Sequence, residues 1–333
     1  MSETLVITCP GGKQCAHLIP LLYNKGKFKL RLAAHSEASV GKLQSQFPDA
    51  EVVHTDIADY NHCRQLLKGA TAAIIVLPSL HSREKEMGLN LVDAAVAETQ
   101  RPGNVFEHFV FSSVLGTQHR NLMQHDLKSY IEERLYLSQM DWTILKPTNF
   151  MDAYPVAMLA SQDKPVMEKL WAPEIGNSLI ALRDLAEAIA KVLNEREVHY
   201  LAEYSLCSTM PISDAEMCKE IGKQIGKEIE VRAPTFETGV NKLLNYMYGG
   251  KADQIYAGAS SDFNLAAEGD IRGDIVRDEA ERLILFYNRR GLRGSPNVLR
   301  WLLGREPMTI ADWVANQLEG VGPRSDSSAS IKT

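Results

Sequence analysis

The first half of the chain alternates two kinds of apolar pattern. Short runs rich in β-branched residues, TLVIT at 4–8, KLRLAA at 29–34, AEVVHTD at 50–56, AAIIVLP at 72–78 and EHFVFSS at 107–113, are apolar enough to be strands buried on both faces of a sheet. Longer amphipathic stretches lie between them. CAHLIPLLYNKG reaches Gly26 and NHCRQLLKGA reaches Gly69 where a helix would end, and SREKEMGLNLVDAAVAETQ supplies a longer helix before the fifth strand. Pro20 interrupts the first of these helices and is tolerable only in an opening turn or at a kink. Strand and helix recur about every thirty residues, the spacing of β-α-β units. The pattern therefore predicts an α/β fold on a doubly wound parallel sheet.

After MDWTILKPTNFMD at 140–152 the rhythm loosens. Helices LRDLAEAIAKVLNE and SDAEMCKEIGKQIG alternate with short extended pieces, EYSLCS and EIEVRAP, which read as a smaller α/β lobe over the carboxyl edge of the sheet. The expected organisation is a nucleotide-binding domain over 1–152, a lobe over 153–320 that shares some sheet elements with it, and a disordered tail over 321–333. The Gly- and Asp-rich stretch at 248–274 reads as loop.

Charge narrows the function. A net charge of −6 over 333 residues, with no long Lys/Arg run, leaves no basic field for a phosphate backbone, so direct nucleic-acid binding is not expected. The start, MSETLVITCP, has neither the apolar length of a membrane span nor the form of a signal peptide, which points to the cytoplasm. Five scattered cysteines do not make a disulfide framework.

The chemistry concentrates in TCPGGKQCAH at 8–17, between the first strand and the first helix, where a dinucleotide pyrophosphate would meet backbone N–H groups. On a G-x-x-G-x-x-G spacing the three glycine positions fall on Cys9, Gly12 and Cys15, with an extra Gly11. The first substitution puts a Cβ in a tight turn, and the third puts a thiol where helix must pack close to strand. A plain turn with two small thiols is the competing reading. Cys9, Cys15 and His17 match no common zinc spacing and give only three ligands, so no metal is expected.

Several segments together resemble the NmrA-like family of the atypical short-chain dehydrogenase/reductases. These are FEHFVFSSV at 106–114, QHDLKSYIEERL at 124–135, TILKPTNFMD at 143–152, SLIALRDLAEAIAKVL and EPMTIADWVANQL. The resemblance implies a Rossmann-type domain that binds NADP(H) and a substrate lobe. It places the cofactor on Gly11, Gly12, Lys13 and Gln14, on His35 at the end of the second strand, on Asp56, on Leu77 and Pro78, and on Lys128 and Asn149. Many relatives carry Arg at the His35 position to meet a 2′-phosphate, and His is a weaker, pH-dependent substitute. The Tyr-x-x-x-Lys of typical relatives becomes Gln124-x-x-x-Lys128, with His125 displaced by one. His125 would reach a substrate if the helix began between Gln124 and Lys128, and would otherwise face solvent. Lys128, His125 and Ser113 are the catalytic candidates; Phe150, Met151 and Tyr154 are candidate pocket walls, with core packing the alternative. Tyr130 is expected to be a core or lobe contact.

The implied function is an NAD(P)(H)-dependent oxidoreductase acting on a hydrophobic small molecule, in secondary metabolism, without nucleic-acid or membrane partners and compatible with a homo-oligomer. Two other readings tolerate the missing Tyr. One is a non-redox tailoring enzyme, a cyclase, isomerase or pericyclic catalyst working by proximity. The other is an NADP-sensing co-regulator.

Overall fold

The computed structural model describes residues 3–78, 81, 83–248 and 271–319, with side chains left undescribed at 246–248 and 271–276. The first half follows the expected alternation: β1 (Glu3–Thr8), α1 (Lys13–Leu22), β2 (Phe28–Ala34), α2 (Glu37–Gln46), β3 (Glu51–His54), α3 (Tyr60–Leu67), β4 (Ala72–Ile75), α4 (Glu84–Thr99), β5 (His108–Ser112), α5 (Met123–Tyr136) and β6 (Trp142–Pro147). The second half runs β7 (Asn149–Phe150), α6 (Val156–Ser161), β8 (Val166–Glu168), β9 (Leu179–Ile180), α7 (Leu182–Glu195), β10 (Ala202–Leu206), α8 (Asp214–Ile225), β11 (Glu230–Arg232), α9 (Phe236–Tyr248), α10 (Ile271–Tyr287), α11 (Asn297–Leu303) and α12 (Ile310–Glu319).

Seven parallel strands form one sheet in the order β10-β6-β5-β4-β1-β2-β3, so the chain reverses direction across the sheet between β1 and β4. Strand alternation divides the core. Leu5 and Ile7 of β1 and Val110 of β5 join α1 and α7 on one face, while Val6, Phe109 and Phe111 join α3, α4 and α5 on the other. Pro20 lies in the last turn of α1, not in an opening turn, and withholds one N–H from the Ala16 carbonyl.

EYSLCS, as β10, pairs with β6 and is the seventh strand of the main sheet. Tyr204 and Leu206 enter the α1/α7 core while Glu203 and Ser205 are exposed. This one-sided edge strand lacks the continuous apolar run of its neighbours. EIEVRAP pairs β11 with β8 in a small separate sheet. The lobe has its own core of Met151, Tyr154, Leu159, Met217, Ile221 and Trp313. Of the stretch read as loop, Tyr248 ends α9 and 271–274 begin α10, where the sequence has no Pro to stop a helix; 249–270, like the tail at 321–333, lie outside the described residues. Tyr130 is also corrected. It is exposed, with Lys85 Nζ and Arg120 Cζ over its ring at 4.6 and 4.9 Å, because its place on α5 turns it from the sheet.

Candidate dinucleotide cleft and the buried carboxyl site beside it

Sheet order puts a crevice at the carboxyl ends of β1 and β4, where open α/β sheets bind ligands. Thr8 fixes its floor: Oγ1 donates to the Val76 carbonyl at 2.7 Å and accepts from the Val76 N–H at 2.9 Å. The chain then turns at Cys9, which stands at φ 48 in the region that favours glycine. Gly12 N–H closes the turn on the Cys9 carbonyl at 2.9 Å, and a Cβ on Gly12 would stand 3.2 Å from that oxygen. α1 starts at Lys13 with no side-chain cap and no acid in its first turn, which leaves its first N–H groups to an anion. Cys15 is wholly buried under the turn, its Sγ 3.6 Å from the Thr8 carbonyl. Burial pushes both thiols up, Cys9 to about 11 with help from the Glu84 charge, so neither is a ready thiolate.

A cleft of about 800 Å³ opens over this turn, lined by Cys9 to Gly12, His35, Ser39, Lys42, Thr55, Asp56 and Pro78. Thr55 Oγ1 is buried in it without a partner, a donor and acceptor kept for a ligand. Asp56 Oδ1 accepts from the Ala58 N–H at 2.9 Å, and Gln14 Oε1 accepts from Ser112 Oγ at 2.8 Å, which ties the turn to β5. His35 is exposed at the cleft, while Leu77 points into the core of the α3/α4/α5 face and leaves only Pro78 at the opening. Lys13 is exposed at the head of α1. Ser39 and Lys42 escaped the sequence reading; with Ser36 they recur every third residue along one side of α2, a spacing that was visible. These groups fit a dinucleotide: uncapped N–H groups for the pyrophosphate, and hydroxyl, imidazole and ammonium for ribose and phosphate.

The other end of the crevice is closed. Gly88 lets α4 lie against α5, since a Cβ there would stand 2.6 Å from Ile131 Cγ1. That approach brings Glu84 to Lys128 in a buried ion pair. Burial pushes the Glu84 carboxyl up, with the ammonium working against it, and Glu84 Oε2 has no partner. Gln124, at the position of the family tyrosine, holds its Oε1 buried and unpartnered. α5 begins at Met123, before Gln124, yet His125 is 1% exposed rather than facing solvent. Its Nδ1 lies 2.9 Å from the Gly116 carbonyl, which can only accept, so Nδ1 carries the proton. Burial lowers its pKa to about 4, and the ring is neutral at pH 7. Ser113 donates to Glu132 Oε1 at 2.5 Å, and Thr117 and Lys146 also hold that carboxylate, at 3.0 and 3.1 Å. Its hydroxyl is therefore engaged in a buried network.

The turn after β6 joins the lobe to the crevice. Asn149 Oδ1 accepts from Tyr287 OH at 2.9 Å, and Tyr287 stacks on Trp171 at 4.3 Å. Phe150 packs half-buried against the α1/α7 core, Met151 is fully buried in the lobe core, and Tyr154 gives its hydroxyl to Asp214. Lys169 pairs with Asp214 at 2.9 Å, its Nζ 4.4 Å over the Tyr154 ring. The structure thus gathers Gly11, Gly12, His35, Asp56 and Pro78 at one cleft and Lys128 and His125 at its closed neighbour, and sets Leu77 and Met151 in cores. Trp171, Lys169 and Glu84 were missed, each being supplied by a distant element.

Among the described residues no group of three or more His, Cys, Asp or Glu is placed to hold a metal ion, and no helix is long and apolar enough to cross a membrane. No curated protein matches the sequence. In three dimensions the chain is similar to the NADPH-dependent quinone oxidoreductase QOR2 of Escherichia coli in complex with NADPH, at 17% identity over 94% of this chain and 99% of that one, TM-score 0.69. It is equally similar to the Citrobacter sp. triphenylmethane reductase complexed with NADP(H), at 16% identity over 94% and 99%, TM-score 0.69. NmrA, a negative transcriptional regulator in complex with NAD, aligns at 14% identity over 97% and 98%, TM-score 0.68. At these identities the likeness is one of fold. The model of the NmrA-like family matches residues 1–258, and the chain belongs to that family.

Proposed function

We propose that the chain is a cytoplasmic NADP(H)-dependent reductase of an apolar ketone, enone or quinone-like molecule, a substrate class common in secondary metabolism. The cleft carries this reading: an uncapped helix N-terminus over a turn that retains Gly12, facing the orphan Thr55 hydroxyl and the Lys42 ammonium. Two of the fold neighbours are NADPH- or NADP(H)-bound reductases, which supports a nicotinamide and a reductive direction. Lys42, Ser39 and His35 stand in for the missing Arg at the 2′-phosphate, so NADPH is the preferred form. When bound, the cofactor supplies hydride; the chain holds its phosphates on the α1 N–H groups and excludes water at the closed end.

Titration of the purified protein with NADPH and NADH, followed by nicotinamide fluorescence, tests the reading. NADPH binds tighter than NADH, and Lys42→Ala weakens NADPH about three- to tenfold, the worth of one exposed charge contact, without affecting NADH. No binding of either dinucleotide at millimolar concentration overturns the proposal. A dinucleotide-sensing role is the second reading, favoured by the closed Lys128–Glu84 pair and by the NmrA neighbour. It predicts binding of NADPH without its oxidation by any carbonyl acceptor.

A further inference from the structure

We propose that the Glu279 carboxyl is this chain's acid–base group, giving a proton to the carbonyl oxygen of the substrate in place of the missing tyrosine. The proposal rests on the reductase reading above.

Glu279 lies on α10, a helix outside the matched strand–helix pattern. Ala280, Leu283, Ile284 and Tyr287 of this helix pack on Leu115, Leu122 and Cys207 beyond the carboxyl ends of β5 and β10. Residues 279, 283 and 287 share one face, and at the end of that face Tyr287 reaches Asn149. Glu279 is 4% exposed, and both of its carboxyl oxygens are buried without any partner. A buried ionised carboxylate in that state would be severely penalised, so the group rests as a neutral acid with an O–H to give. Burial together with the charges of Glu84 on α4 and Asp278 beside it pushes its pKa up to about 8. Glu84 is itself paired with Lys128 of α5 and acts on Cys9 in the turn of the dinucleotide cleft. Glu279 therefore feels the carboxyl that is paired with Lys128, the lysine that the family sets at the nicotinamide ribose.

The other candidates are spent. His125 is neutral with its one N–H on Gly116, Ser113 donates to Glu132, and the amide of Gln124 has no proton to lose. In the step, the substrate carbonyl carbon receives a hydride from the reduced nicotinamide, the C=O π pair moves to oxygen, and the Glu279 O–H gives its proton to that oxygen. The alcohol leaves with an oxidised nicotinamide. Glu279 is left as a carboxylate and regains a proton from water admitted as the alcohol departs. With a proton affinity near neutral pH it both gives and regains the proton readily.

The experiment uses the full-length protein with NADPH and menadione as the probe acceptor, and Glu279→Gln, which keeps shape and burial. Wild type oxidises NADPH with a kcat that falls above pH about 8, following one ionisation. Glu279→Gln lowers kcat at least a hundredfold, the scale of general-acid catalysis, leaves the NADPH Kd within about twofold, and removes the alkaline limb. Glu279→Asp restores part of the rate. Independently of turnover, ¹³C NMR of protein labelled at Glu Cδ shows a resonance titrating near pH 8 that Glu279→Gln deletes. An active Glu279→Gln with an unchanged pH profile, or the absence of that resonance, overturns the proposal and leaves the reductase reading standing. A wild type that binds NADPH but reduces neither menadione nor a panel of ketones and enones overturns both.

Discussion

The two ends of the crevice answer the same problem, how to keep polar groups under a ligand, in opposite ways. At the turn after β1, Lys42 and the first N–H groups of α1 line an 800 Å³ cleft, and water can satisfy them until a ligand does. At the closed end Lys128, Glu84 and Glu279 are buried, and only one pairing among them is made. Open groups cost the fold little and can drift: the turn has lost two of its three glycines and still closes on Gly12. Sealed groups are tied to each other, so a change to one is felt by the rest.

The largest test of that difference is Lys128→Ala, which leaves the Glu84 carboxylate buried without a cation. The expected loss is about 3–5 kcal/mol of unfolding free energy in urea. Glu84→Leu combined with Lys128→Met removes both charges and regains most of that loss. A single substitution as mild as a surface change would show that the pair is open to water.

Next comes pH. Glu279 holds its proton in the folded chain up to about 8, while in the unfolded chain it loses it near 4.5. Between those values the folded state binds the extra proton, so this group's stabilisation is whole at low pH, falls as pH rises from about 4.5 to 8, and is flat beyond. The loss is about 5 kcal/mol. Glu279→Gln therefore matches wild type at pH 5 and melts at a higher temperature at pH 9; parallel melting curves would place the carboxyl in contact with water.

The smallest effect belongs to the open end. Cys9→Gly relieves a side chain held at φ 48. After the extra chain entropy of glycine is subtracted, a gain of about 0.5–1 kcal/mol should remain. The same variant should bind NADPH at least as tightly as wild type, and a weakened affinity would mean that the Cys9 thiol itself touches the ligand.

Legibility followed the same division. The turn at 8–17, His35, Asp56 and Pro78 were readable because each sits at the end of a strand announced by its own apolar run. Ser39 and Lys42 were readable in principle, at helical spacing just beyond β2. The closed end was not. Lys128 was identified by its motif position, but its partner lies on α4, 44 residues away, and nothing local to Glu84 in SREKEMG separates it from the solvated Glu86 two residues on. Helical phase left His125 between reaching a substrate and facing solvent. Phase alone does not reveal that the 115–122 loop and α10 cover that side of α5.

What the sequence by itself determined is the sheet and its crevice. Uninterrupted β-branched runs joined by amphipathic helices bury their apolar surface as a parallel sheet covered by helices, and the loop after the first strand then lies at the sheet's carboxyl edge. What tertiary structure alone decided is the state of each charge. Whether Glu84, Glu279 and Lys128 are solvated, paired or held neutral depends on which distant helices shut water out, and desolvation is a property of the packed chain with no signature in any local stretch of residues.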